Sequence, residues 1–280
     1  MNNPTQRDLK LLDFLAKYEV LSSKLIRESV YPKSAATNFF RRIRQLEKSK
    51  FIKRLGPMSN HSYVWVLDDK GKSVCGIEGR ELFINRANLE HDVIVAHVRM
   101  VLEQFKVAKN YKPESLLRKE AQFKNTYHWS REDTIIVPDG MFEGIIANEE
   151  RLLSLEVELS FKNRRRYHDL FRRYHETHDP VYLVWYLVKT KSMGERLQSC
   201  WNKFHEDNPR YSRKIVFLFT EIDSFLADPS EATYQVGTEI NKLNRIWPAF
   251  QKRNDHTNDQ TQDLSVITPV IQKQDGEKCP

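Results

Sequence analysis

The chain has 280 residues, enough for two modest domains or for one domain with a long extension. It is 40% hydrophobic and 30% charged, a balance expected of a soluble globular protein, and no run of about 18 apolar residues offers a membrane span. The net charge of +7 is carried by residues 1–70, where 14 Lys/Arg stand against 7 Asp/Glu, so a polyanion partner is expected at that end. The polar start Met1-Asn2-Asn3-Pro4 has no apolar signal-peptide core, and a cytoplasmic location follows as the expectation. Cys75, Cys200 and Cys279 are too few and too far apart for a disulfide framework or a zinc site, and are expected as reduced thiols.

In chain order, Thr5 predicts a cap for a helix to about Tyr18, with Leu9, Leu12, Phe14 and Leu15 as its apolar positions. Ser22 or Ser23 predicts the cap of a short second helix holding Leu25 and Ile26, which Pro32 ends. A third helix is expected from Ser34 to about Lys50, with Phe39, Ile43 and Leu46 inside. Two strand-like runs follow, Phe51–Leu55 and Tyr63–Leu67, joined by the turn formers Gly56-Pro57-Met58-Ser59-Asn60-His61. Three helices and a hairpin are the order of a winged helix-turn-helix, placed at residues 1–76, whose third helix would enter a major groove of double-stranded DNA. Ser34, Thr37 and Asn38 have the chemistry for base edges or phosphates. Arg41, Arg42, Arg44 and Lys48 have that for phosphates.

The rest reads as an α/β domain with a mixed sheet over residues 86–250, followed by a polar tail, 254–280, expected to be disordered. Its predicted elements are a helix over 86–105, strands near Leu117–Phe123, Thr134–Val137, Phe142–Ile146 and Leu152–Leu159, a basic helix over 163–178, a strand at Val181–Val188, a helix over 192–205 and a strand at Ile215–Phe219. Asp139 closes the apolar run Ile135-Ile136-Val137-Pro138. Strand alternation puts Glu156 and Glu158 on one face and Leu155, Val157 and Leu159 on the other. Three such acids together would hold a hard divalent cation, Mg2+ or Mn2+, able to activate water and stabilise a phosphodiester in transit. Residues 161–175 carry six basic residues against one acid, with aromatics between them, so Arg164, Arg165 and Arg166 are candidate strand-binding residues and Tyr or His candidate base stackers.

Pro138-Asp139 followed by Glu156-Val157 resembles the PD-(D/E)xK nuclease superfamily, the restriction-endonuclease-like fold, whose motif ends in Glu-x-Lys. Here Glu158 stands at the lysine position, and Lys162 is the candidate replacement cation. With the winged helix, the helix start Glu90-His91-Asp92 and the Tyr-containing helix after the acids, residues 5–220 resemble the replication-relaxation family, near the MobC-type plasmid mobilisation relaxases. That resemblance implies metal-dependent nicking at a plasmid origin of transfer, with Asp139, Glu156 and Glu158 as metal ligands and catalytic residues and Lys162 polarising the phosphate. It also implies an accessory mobilisation protein or coupling protein as partner. Glu90, Asp92 or Glu103 is the candidate auxiliary acid, and helix capping is the other role for Asp92. Tyr167 and Tyr174 are formal candidates for a covalent nucleophile.

Two other classes stay open. One is a DNA-binding regulator of replication or transfer with a degenerate nuclease-like domain, favoured by the missing lysine. The other is a winged-helix transcription factor with a small-ligand domain. With 9 glycines and no Gly-rich motif, a nucleotide-cradling loop is not expected.

Overall fold

The structure is a computed structural model that describes residues 4–77, 88–127, 137–176, 181–211 and 215–251. The tail 254–280 and strand positions 134–136 lie outside the described residues. Helices and a mixed sheet make an α+β protein, and the chain divides into two compact units between Val101 and Leu102.

In the first unit, α1 (Gln6–Tyr18) is capped by Thr5, and Asp8 completes a capping box with it. Strand β1 (Leu21–Ser22) leads into α2 (Ser23–Val30), where the Ser22 hydroxyl accepts from the Leu25 amide. After a turn closed by Ser34 N donating to Tyr31 O, α3 spans Ala36–Lys48. Ser34 therefore precedes that helix, instead of starting it. Strands β2 (Ile52–Pro57) and β3 (Tyr63–Leu67) form an antiparallel hairpin, and β1 adds to the outer side of β3. Helix α4 (Asp69–Val74) is capped by Asp68. A Cβ on Gly71 would lie 2.1 Å from the Phe51 carbonyl oxygen, so only glycine lets the two backbones meet.

Leu11, Leu12, Leu15, Ile26, Phe39, Ile43, Leu46 and Val64 form the core of this unit. The inner stripe of α3 is the one expected from its i, i+4, i+7 spacing. The stripe of α1 is shifted: Leu9 is 39% exposed and Leu11 fully buried. Helix α5 (Leu89–Gln104) contributes Leu89, Val93 and Ala96 to this core. The unit thus extends past the expected boundary near residue 76–86.

In the second unit, β4 (Lys109–Pro113) precedes α6 (Glu114–Tyr127). A strand was expected at 117–123. Helix prevails because Leu117 and Ala121, four apart, are both buried, and Glu114 pairs with Arg118 across one turn. Then come β5 (Gly140–Ile146), β6 (Glu149–Glu158), α7 (Arg164–Glu176), β7 (Leu183–Val188), α8 (Lys191–Asp207), β8 (Val216–Glu221), α9 (Ile222–Ala227), β9 (Thr233–Val236) and β10 (Glu239–Lys242). Short 3-10 turns cover Leu243–Arg245 and Pro248–Phe250.

The seven strands run in the order β10-β9-β8-β7-β6-β5-β4. β6, β7 and β8 are mutually parallel and the other neighbours antiparallel. Strands β7 and β8 are almost wholly apolar, as strands covered on both faces must be. Tyr167, Phe171 and Tyr174 of α7 and Leu197, Trp201 and Phe204 of α8 pack with Val184, Tyr186, Phe217 and Phe219 on one face. On the other face Trp185 meets Phe225 and Trp247. Among the described residues no helix is long and apolar enough to cross a membrane.

Candidate functional site

The acidic site is built around the end of β6. Ser154, Glu156 and Glu158 alternate along one face, and each meets a tyrosine of α7 directly or through its neighbour. Tyr174 Oη donates to Glu156 Oε1 at 2.5 Å and is 2.6 Å from Ser154 Oγ. Tyr167 Oη donates to Glu158 Oε2 at 3.0 Å and accepts from the Lys162 amide at 2.9 Å. Tyrosines seven apart on a helix lie on one face two turns apart, so a single helix face supplies both phenols.

Asp139 reaches the same strand from its antiparallel partner. Its Oδ2 accepts from Val157 N, the amide between the two glutamates, at 2.7 Å. Gly140 starts β5 beside it, where a Cβ would lie 2.1 Å from Tyr111 Oη. Glu156 is half-buried. Burial, and then the Asp139 charge, push its carboxyl well above the usual carboxylate range, although Tyr174 and Lys162 oppose the shift. Glu158 is 4% exposed. Its Oε2 lies 3.0 Å from Lys162 Nζ, so the lysine that follows the strand is paired with Glu158.

These positions change the expected ligand set. Among the described residues no three His, Cys, Asp or Glu side chains are grouped as a metal ion would require, so the set Asp139, Glu156 and Glu158 is not assembled. Tyr167 and Lys162 already engage the Glu158 carboxylate. The donors that remain, Asp139 and Glu156, are two carboxylates repelling one another across a partly dry site. That chemistry fits a hard cation, since Mg2+ is commonly bound through one or two carboxylates with water and phosphate completing its shell. Beside them Tyr186, opposite Glu156 in the β6–β7 register, carries a buried hydroxyl with no hydrogen-bond partner among the described residues. A polar ligand group would satisfy it.

Tyr167 and Tyr174 are 1% and 0% exposed, and burial raises both phenols. Neither can reach a phosphodiester as a nucleophile or stack on a base, and His175 is buried as well. Arg164, Arg165 and Arg166 are exposed at the start of α7, two to four residues beyond Lys162. The guanidinium of Arg196, on α8, lies 3.8 Å over the Phe161 ring, a contact that sequence spacing does not signal.

On the first unit, Thr37, Asn38, Arg41, Arg44 and Lys48 lie on the exposed side of α3, with Asn38 Oδ1 accepting from Arg41 at 3.1 Å. Phe40, 41% exposed, flanks them and was not anticipated. Ser34 Oγ accepts weakly from Arg7 at 3.4 Å. Arg42 has turned inward: it forms a two-pronged pair with Asp8, Nε donating to Oδ1 at 3.0 Å and an Nη to Oδ2. Tyr31 Oη donates to the same carboxylate at 2.9 Å. Within this unit Glu90 accepts from Ser59 at 3.2 Å, and Asp92 pairs with His91 at 3.3 Å.

No protein-family model, curated protein or solved structure matches the chain.

Proposed function

We propose that the first unit is a winged helix that binds double-stranded DNA and the second a restriction-endonuclease-like domain that nicks it, as a plasmid mobilisation relaxase does. The reading rests on the hydrogen bond from the Val157 amide to Asp139, the residue before β5, which brings its carboxylate to the end of β6 that carries Glu156. A Mg2+ or Mn2+ ion held by Asp139 and Glu156 would supply Lewis acidity and an activated water. The chain's own residues do the rest. With such an ion offsetting their repulsion, Asp139 and Glu156 would both be ionised and present carboxylate oxygens to it. Lys162, 37% exposed, keeps an ammonium within reach of an incoming phosphate. Arg164, Arg165 and Arg166 offer the strand's phosphates charge-assisted contacts. The exposed face of α3 selects the site on the DNA, through Thr37 and Asn38 at base edges and Arg41, Arg44 and Lys48 at phosphates. An origin of transfer as target, a coupling or accessory protein as partner and a cytoplasmic setting come with the family resemblance.

A second reading has its own support. Glu158 replaces the family's lysine and claims Lys162, which suits a DNA-binding regulator whose nuclease-like domain no longer cuts. Supercoiled plasmid carrying the candidate origin, incubated with the full chain and Mg2+ or Mn2+, separates the two. Nicking predicts open circles that disappear with EDTA and with Glu156→Gln. Retained DNA binding without open circles under either metal assigns the regulator role.

A further inference from the structure

We infer that Tyr174 is a positioning residue: through a directed hydrogen-bond chain from Ser154 it fixes the Glu156 carboxylate for a divalent cation. The inference rests on the reading of Asp139 and Glu156 as a cation site.

The direction of the chain follows from proton counting. A cation on Glu156 would hold its carboxyl ionised, and an ionised carboxylate can only accept, so in that state Tyr174 Oη gives its one proton to Oε1 at 2.5 Å. The contact of 2.6 Å between Tyr174 Oη and Ser154 Oγ must then be donated by the serine. Ser154 gives to Tyr174, and Tyr174 gives to Glu156. Each bond polarises the next, and the charged acceptor at the end shortens and strengthens the last one.

The chain is also rigid. Ser154 and Tyr174 are both 0% exposed, so water does not compete for either hydroxyl. Ser154 and Glu156 lie two apart on the same strand, which holds the first donor and the final acceptor at a set separation. Tyr174 sits in the aromatic core of α7 and α8, so its ring cannot swing away. Glutamate has three side-chain torsions. Fixing one of its oxygens leaves little freedom for the other, and outer-shell hydrogen bonds of this kind orient metal ligands and strengthen binding.

Tyr167 provides an internal contrast. It bonds Glu158, the carboxylate already neutralised by Lys162, and has no path to Glu156 through a serine. Two phenols of one helix thus do different work. Tyr174 serves the carboxylate that shares its field with Asp139, and Tyr167 serves the carboxylate paired with Lys162.

The test is Mn2+ binding by the full chain without DNA, followed by titration calorimetry and by the loss of the free-ion electron paramagnetic resonance signal. Wild type is expected to bind one Mn2+, and Glu156→Gln to abolish binding. Tyr174→Phe, which keeps the ring, is expected to weaken binding about 10- to 100-fold. Ser154→Ala, which keeps the phenol but removes its donor, should weaken it less, and Tyr167→Phe by under about 3-fold. Circular dichroism melts identify any variant that fails to fold, and Ser154→Ala carries the test if Tyr174→Phe does. Equal Mn2+ affinity in wild type, Tyr174→Phe and Ser154→Ala, with binding lost in Glu156→Gln, overturns the positioning role and leaves the cation site standing. Failure of wild type to bind Mn2+ overturns the cation site itself, and the positioning role with it.

Discussion

Asp8 is 1% exposed and gathers partners from three places: Thr5 ahead of α1, Tyr31 after α2 and Arg42 in α3. Burial alone would raise its pKa, but the bonds from Arg42, Thr5 and Tyr31 outweigh burial and lower it from 3.8 to about 2. A folded-state value below the unfolded one means that the ionised form stabilises the fold. That contribution is complete above about pH 4 and fades as the pH falls towards 2. Asp8→Asn should therefore cost about 2 kcal/mol at pH 7 and little at pH 2, read from urea unfolding at each pH. A variant whose stability still falls between pH 4 and 2 as steeply as wild type would show that another carboxylate governs that range. The same contacts explain why Arg42 is a poor candidate for DNA: its guanidinium gives Nε and one Nη to the buried Asp8 carboxylate and the other Nη to Gln45, so it is already committed.

Helix α3 shows how an element sorts residues of one charge into two roles. Arg41 and Arg44 lie near the middle of its exposed face and Arg42 at the edge nearest Asp8, a division set by the 100° step between helix residues. Arg41→Ala with Arg44→Ala should weaken DNA binding and reduce the slope of log affinity against log salt by about 2. An unchanged slope in a filter-binding series at several salt concentrations would remove both arginines from the interface. Arg42→Ala is expected to leave that slope alone and to lower stability. Helix α8 makes a second case. A Cβ on Gly194 would lie 2.1 Å from the Phe219 ring, so the helix approaches β8 only because that residue is glycine. Gly194→Ala should gain helix propensity and still lose about 1–3 kcal/mol to overpacking, measured by chemical denaturation. A stabilised variant would mean that the helix can shift on the sheet at no cost.

At the scale of the whole molecule, the first unit does not end where its hairpin and α4 end. Leu89, Val93 and Ala96 of α5 are 6%, 7% and 4% exposed and belong to its core. A fragment of residues 1–104 should thus be more stable than one of residues 1–77, by about 3–5 kcal/mol for one leucine, one valine and one alanine buried. Equal urea midpoints for the two fragments would show that α5 adds nothing to that core. The boundary was hard to read because α5 is apolar on several sides, with Val93, Ile94, Val95, Ala96 and Val98 in near succession. Such a helix can be assigned to either neighbour.

Periodicity, caps and turn formers are local properties, and they were legible. The three short helices and hairpin of the first unit, the alternation of Glu156 and Glu158, and the apolar strands β7 and β8 all follow from spacing along the chain. Sequence alone marked Asp139, Glu156 and Glu158 as candidates for one site, a set of three that the described residues do not group. Tertiary structure decided which charges are spent and which remain available. Only packing shows that Arg42 belongs to Asp8, that Lys162 and Tyr167 hold Glu158, and that Tyr174 links Ser154 to Glu156. A side chain's chemistry is written in the sequence, but its partner is set by which buried groups the fold brings within hydrogen-bond distance. Burying a hydroxyl unpaired costs about 1–3 kcal/mol and a charge more, which outweighs most local preferences.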